Sequence, residues 1–210
     1  MVAKVKVLIK GYIELLSEFQ GRVRPTIVLI DNGVNKIIVD PGTVKSQNII
    51  HNALKKENLT VNDITHVLIT HSHLDHYRNL GMFPNAIAID FWGYWIKDTT
   101  KLFNRSEHDS NSKFKILKDI QVLKTPGHDY SCVTFFVNGE TIFEGKVVRG
   151  VIAICGDVFW KEDFPLLEDE PFATDKSLLK KSRELVLNNS DYIIPGHDDI
   201  FNLKAKTLLI

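Results

Sequence analysis

The chain has 210 residues, 44% of them hydrophobic, with 26 Lys+Arg set against 26 Asp+Glu. That length suits one substantial core and predicts a single domain over residues 1–210, while the balanced charge excludes a global field steering the protein to nucleic acid or an anionic membrane. Two cysteines, Cys132 and Cys155, lie in strand-like runs, too few for a disulfide framework, and read as small core residues in a reducing compartment.

The first residues, "MVAKVKVLIKGY", alternate Lys with Val, the pattern of a strand and not of a signal peptide. Short β-branched runs follow: "PTIVLID", "KIIVD", "THVLIT", "NAIAID", "DIQVLKT", "CVTFFV", "ETIFEG", "GVIAICGD" and "SDYIIPGH". Turn signals such as "DNG", "DPG", "TPG", "NGE" and "PGH" separate them. Helical spacing appears over residues 46–58 through Ile49, Ile50, Ala53 and Leu54, and briefly over residues 75–80. It returns over 174–188, where Thr174 or Asp175 serves as cap and Leu178, Leu179, Leu185 and Val186 share a face. A long series of strands with few helices predicts sheets covered by helices on their outer faces.

The polar stretch at 104–113 reads as a loop, and "EDFPLLEDE" at 162–170 as a surface loop. No apolar run approaches the roughly 20 residues that span a bilayer, so the expectation is a soluble cytoplasmic protein with no membrane partner.

Chemistry concentrates in "HSHLDH", residues 71–76, at the end of an apolar run. Residues two apart on an extended chain share a side, so His71 and His73 can face one metal ion. Asp75 and His76 follow where the chain turns into a helix, and their diverging directions suit a second ion. With 8 His and 16 Asp in the chain, a chance match to this pattern is roughly a one-in-a-thousand event. An ion needs about four donors, more than one segment supplies. Further candidates each sit just beyond a strand: His128 in "TPGHD", Asp157 in "CGDVF" and His197 in "IPGHD". Loops at one sheet edge commonly assemble such sites.

The set "THSHLDH", "TPGH", "GDVF" and "PGHD", in this order after an early "VDPG", resembles the metallo-β-lactamase superfamily over almost the whole chain. The resemblance implies an α/β, four-layer αββα sandwich with a dinuclear, expectedly zinc, site; iron or manganese fit the same ligands. Carried over by motif, His71, His73 and His128 hold one ion and Asp75, His76 and His197 the other. Asp157 bridges them, Asp75 and Asp157 carry the catalytic role, and Asp40 of "VDPG" is a supporting acid behind the ligands.

"LIKGY", "HLDHYRNLGMFPNA" and "CGDVF" further resemble the small single-domain group typified by metallo-β-lactamase domain-containing protein 1, which is linked to cleavage of histone precursor RNA. Departures from the common family pattern place Tyr77 and Arg78 beside the ligands, and Asp198 and Asp199 after His197.

A water shared by two ions about 3.5 to 4 Å apart becomes a nucleophile near neutral pH. That chemistry suits phosphodiesters, esters, thioesters and lactones alike; the subgroup resemblance implies RNA phosphodiester cleavage, with hydrolysis of a small ester, thioester or lactone as the alternative. Tyr77, Arg78 and Trp92 are the candidate substrate contacts. The cluster "DFWGYW" can line a pocket, stack on bases or bury a homodimer contact, with core packing as its plainest role. Lys176, Lys180, Lys181 and Arg183 on the late helix can meet phosphates, but read first as a solvated face. The bridging acid disfavours true β-lactamases. The expectation is therefore a stand-alone hydrolase, with a mononuclear iron oxygenase resembling the persulfide dioxygenases as the rival reading. His51, His66 and His108 match no motif and read as structural or surface residues.

Overall fold

The computed structural model describes residues 2–17, 20–104, 113–163 and 165–202. The stretch 105–112, which contains His108 and most of the expected polar loop, lies outside them.

Strand β1 (Ala3–Ile9) is the hinge of the architecture. On one side it pairs antiparallel with β4 (Ile27–Asp31), and from there the order runs through β5 (Lys36–Val39), β6 (His66–Leu68), β7 (Ile87–Ile89), β8 (Gly93–Ile96) and β9 (Thr99–Leu102). On the other side it runs parallel to β12 (Val133–Phe143), followed by β13 (Lys146–Ile154), β14 (Tyr192–Ile194) and β15 (Phe201–Asn202). Strands β10 (Phe114–Leu117) and β11 (Ile120–Lys124) add to the β12 side. These 13 strands form one continuous hydrogen-bonded sheet folded over at the β1–β12 pair, in place of two detached sheets. A separate ribbon, β2 (Tyr12–Ser17) with β3 (Gln20–Arg24), stands apart from it.

Three hydrophobic clusters define four layers. Between the two halves of the sheet lie Val5, Ile30, Ile37, Val39, Phe135, Val137, Ile152 and Ile154. The alternate residues of the same strands face outward into two further cores. Ile38 and Val67 meet Ile50 and Leu54 of α1 (Asn48–Lys56). Phe136, Ala153 and Ile193 meet Leu179 and Val186 of the long late helix (Lys176–Asn188). Strands buried on both faces require the unbroken apolar runs the sequence carries. The result is the α/β, αββα layering implied by the family resemblance.

The structure corrects some local readings and narrows others. "NGE" at 138–140 lies inside β12, where Gly139 is needed for close approach: a Cβ there would sit 2.5 Å from the Ala3 carbonyl oxygen. The turn falls instead at Glu144 and Gly145, both at positive φ. The "DFWGYW" segment packs only in part: Phe91 and Tyr94 lie against the central core, whereas Trp92 and Trp95 are exposed where the segment opens the β8–β9 hairpin. In the late helix, Asp175 is the cap, its carboxylate accepting from Leu178 N at 2.9 Å. The buried face of that helix is Leu179, Ser182, Arg183 and Val186, whereas Leu178 and Leu185 are exposed.

Candidate metal centre

Five of the seven candidate ligands stand in loops beyond strands, and hydrogen bonds between those loops hold the strand ends in register. His71 and His73 follow β6, and His128 follows β11. Their loops are tied by Val133 N to Thr70 O at 2.8 Å and by Ser72 N to the Ser131 hydroxyl at 2.9 Å. Asp157 follows β13 and His197 follows β14, joined by Gly196 N to Phe159 O and His197 N to Trp160 O, both 2.8 Å. Asp75 and His76 lie in α2 (Leu74–Tyr77), whose first turn starts directly after His73.

Two groups result. His71, His73, His128 and Asp157 can hold one ion, and Asp75, His76 and His197 another; within each group the ligand atoms lie within 4.8 Å of one another. Asp157 faces both. Its Oδ1 is 3.2 Å from Nε2 of His76 and 3.2 Å from Nε2 of His197, and its Oδ2 is 3.5 Å from Nε2 of His128. Gly196 permits this placement, since a Cβ on it would meet Asp157 Oδ1 at 1.9 Å.

The outer ring nitrogens are held from behind. Asp40, at φ 51, accepts Thr70 N at 2.8 Å on Oδ1, and both the Thr70 hydroxyl at 2.7 Å and His76 Nδ1 at 2.9 Å on Oδ2. Because the Thr70 hydroxyl donates to Asp40, its oxygen accepts from His71 Nδ1 at 3.1 Å. His197 Nδ1 donates to the Arg24 carbonyl at 3.0 Å. The inner nitrogens are thereby turned toward the centre.

The donor set fits divalent ions. His71 Nε2, His76 Nε2 and Asp157 Oδ1 are fully buried with no hydrogen-bond partner, a costly arrangement for polar atoms unless something else satisfies them. His73 Nδ1 and His128 Nε2 face each other at 3.0 Å on the inner side of the first group.

Charge is distributed unevenly. Burial lowers the His71 pKa well below the usual imidazole value, helped by neighbouring His76, and burial also lowers His73. Burial opposes charge on His76 too, but Asp157 and Asp40 overcome it and raise its pKa well above 6.5. His197 is raised by Asp157 against its own burial. Asp157 stays ionised despite burial, since His197 and His76 hold its carboxyl well below the usual range.

Beside His71 lies a cleft of 410 Å³ lined by Ile69, Tyr77, Leu80, Ala88, Phe91 and Trp95, with Ser72, Asp90 and Ser131 as its polar members. Tyr77 thus lines the cleft. Arg78 and Trp92 do not; Trp92 packs edge-on against Phe91 and is 42% exposed. Asp198 pairs with Lys10 at 2.8 Å, and neither it nor Asp199 lines the cleft. His66 is buried in β6 against Thr65, and His51 is exposed on α1.

Two buried charged residues lie elsewhere than the sequence suggests. Glu170, in the supposed surface loop, is 1% exposed, and its Oε1 lies 3.5 Å from His128 Nδ1. Arg183, on the supposed solvated face, is buried and donates to the Val158 and Pro165 carbonyls. Its spacing from Leu179 and Val186 was the available signal. Cys132 and Cys155 are free and buried, as read.

The layering and the paired ligand groups define a metallohydrolase class. The chain belongs to the metallo-β-lactamase superfamily, whose family model matches residues 21–197. It is 27% identical to metallo-β-lactamase domain-containing protein 1 of Xenopus laevis over 95% of this chain and 81% of that protein. It is 35% identical to a probable metallo-hydrolase of Methanocaldococcus jannaschii over 78% of this chain and 71% of that protein. Against a solved structure of a metallo-β-lactamase candidate from Thermotoga maritima the TM-score is 0.68, at 18% identity, covering 96% of this chain and 100% of that one. Some relatives are longer: the chain spans 48% of a Caenorhabditis elegans protein, to which it is 29% identical over 85% of its own length. The protein is a metal-binding hydrolase of this fold, and among the described residues no helix is long and apolar enough to cross a membrane.

Proposed function

We propose that residues 1–210 form one hydrolase domain with a dinuclear, zinc-type centre acting on a small ester, thioester or lactone. The position of Asp157 carries the reading, because one buried carboxylate faces inward nitrogens of both ligand groups at 3.2 to 3.5 Å. His71, His73 and His128 hold the first ion, Asp75, His76 and His197 the second, and Asp157 both. When bound, the ions supply Lewis acidity and a water acidic enough to act as nucleophile at neutral pH.

The chain's own residues do the rest. Asp40 and Thr70 fix the ring orientations of His71 and His76. Asp75, with 22% of its side chain exposed, is the open carboxylate placed to carry a proton toward a leaving group. The apolar walls formed by Ile69, Leu80, Phe91 and Trp95 take up an acyl portion and exclude water beside the centre.

RNA cleavage is the second reading. Lys124 Nζ lies 4.5 Å from the Phe91 ring centroid, which puts a cation and an aromatic face at the same cleft. Among the described residues no Lys or Arg lines the cleft itself, and the burial of Arg183 removes one of the basic residues a phosphate backbone would meet, so the acyl reading is preferred. Two buried cysteines that form no disulfide fit a cytoplasmic setting. A panel of a thioester, a lactone, an aryl ester, a phosphodiester chromogen and single-stranded RNA, run with zinc-loaded protein and D157N, tests both readings. Turnover of a carbonyl substrate that is lost in D157N supports the first; RNA cleavage with inert carbonyl substrates overturns it in favour of the second.

A further inference from the structure

Glu170 is a buried acid that the centre described above does not use. It sits in the segment that wraps the loop carrying His128: Thr174 N donates to His128 O at 3.1 Å, Asp175 N to Gly127 O at 2.9 Å, and the Ser182 hydroxyl to Pro126 O at 2.6 Å. Its carboxylate has two ionisable side chains and one backbone amide in reach. Oε1 faces His128 Nδ1 at 3.5 Å, and Oε2 faces Arg183 Nη2 at 3.8 Å. The Phe172 amide donates to Oε1 at 3.4 Å. Arg183 is itself anchored by Val158 O at 3.0 Å and Pro165 O at 3.2 Å.

A carboxylate withdrawn from water needs such partners, and removing one member of a buried pair leaves an uncompensated charge. On the His128 side, an Nδ1–H turned toward Glu170 leaves Nε2 as the bare nitrogen. That Nε2 lies 3.0 Å from His73 Nδ1 and 3.5 Å from Asp157 Oδ2, on the inner side of the centre. Asp40 stands behind His71 and His76 through hydrogen bonds, whereas among the described residues His128 Nδ1 has no hydrogen-bond partner and Glu170, at 3.5 Å, is the carboxylate that faces it.

We infer that Glu170 is a positioning residue for His128, held in place by Arg183, and that this pair sets the affinity of the ion bound by His71, His73 and His128. The inference rests on His128 being a ligand, as proposed above. Acids behind ligating histidines typically change metal affinity 10- to 100-fold. The contacts of Arg183 with Pro165 and Glu170 further tie the middle of the late helix to the metal site.

The test compares the full chain with the double variant E170Q/R183M, which removes both buried charges together, and with E170D, which keeps a charge for Arg183 but is one methylene shorter. Three quantities are measured: zinc affinity by competition with a chelating indicator, the visible spectrum of the cobalt-loaded protein, and the melting temperature of the metal-free protein. Expected in both variants is a loss of about 10- to 100-fold in affinity for one of the two ions, a changed cobalt spectrum, and an unchanged affinity for the other ion. Unchanged affinities and spectrum, or both affinities falling in step with the metal-free melting temperature, overturn the inference. Should the unaltered chain bind no zinc, the dinuclear reading fails and this inference with it; two ions bound by the unaltered chain but no selective loss in the variants defeats this inference alone.

Discussion

Oδ2 of Asp40 lies 2.9 Å from Nδ1 of His76, and the same oxygen reaches His71 through the Thr70 hydroxyl. One carboxylate therefore orients a histidine from each ligand group. The D40N variant should bind both ions about 10- to 100-fold more weakly, a loss that zinc competition titration will register. Equal affinities in D40N and the unaltered chain would show that ring orientation is set by packing alone.

Gly196 makes a geometric prediction. A methyl group at this position would lie 1.9 Å from Asp157 Oδ1, so G196A must push the shared carboxylate out of place. Lost Lewis-acid stabilisation of several kcal/mol corresponds to about a hundredfold or more in kcat/KM. Steady-state kinetics with metal content measured alongside will check this. Folding should be retained, because the clash is local to the site edge.

Protonation of the metal-free centre should make metal binding pH-dependent. His76 and His197 have raised pKa values and must each shed a proton before presenting Nε2. Affinity should therefore rise with pH, and calorimetry in buffers of different ionisation enthalpy should detect protons released on zinc binding. Metal-free stability follows the opposite course. The contribution from His76 and His197 is fully present below the unfolded value of about 6.5 and is lost as pH rises through their raised folded values. His71 and His73, with lowered values, cost stability only below about 6.5. Denaturation of the chelator-treated protein should give a midpoint that falls as pH increases above that value.

The cleft distinguishes substrates. Trp95 lines it and is partly exposed, so W95A removes apolar wall without opening the core. Burying one such side chain against an acyl group is worth about 1.5 to 3 kcal/mol. KM for a carbonyl substrate with an apolar chain should accordingly rise by about tenfold to a hundredfold. A short-chain analogue should be affected much less.

The sequence made some of this legible and hid the rest for identifiable reasons. The candidate ligands were readable because each is a short polar motif directly beyond an apolar strand, and strands buried on both faces end abruptly. The same runs predicted sheets covered by helices, and the four layers came from the family resemblance; the structure divides the runs between three cores, Ile37 and Val39 to the middle, Ile38 to one outer layer. The β2–β3 ribbon was invisible because Tyr12, Leu15, Leu16 and Val23 are exposed and show no one-sided alternation. Glu170 and Arg183 were hidden by their own charges. An acid in an acidic run and an arginine among lysines read as solvated, whereas they meet each other across about a dozen residues of chain and are buried as a pair. Tertiary pairing of this kind leaves only a weak periodic trace, here the helical spacing of Arg183 from Leu179 and Val186.

The central claim is that Asp157 is shared by two ions. Anomalous diffraction at the zinc edge from crystals of the zinc-loaded protein tests it most directly. Two peaks are predicted with Asp157 between them, one enclosed by His71, His73 and His128 and the other by Asp75, His76 and His197. A single peak within either group, or none at Asp157, would contradict the account.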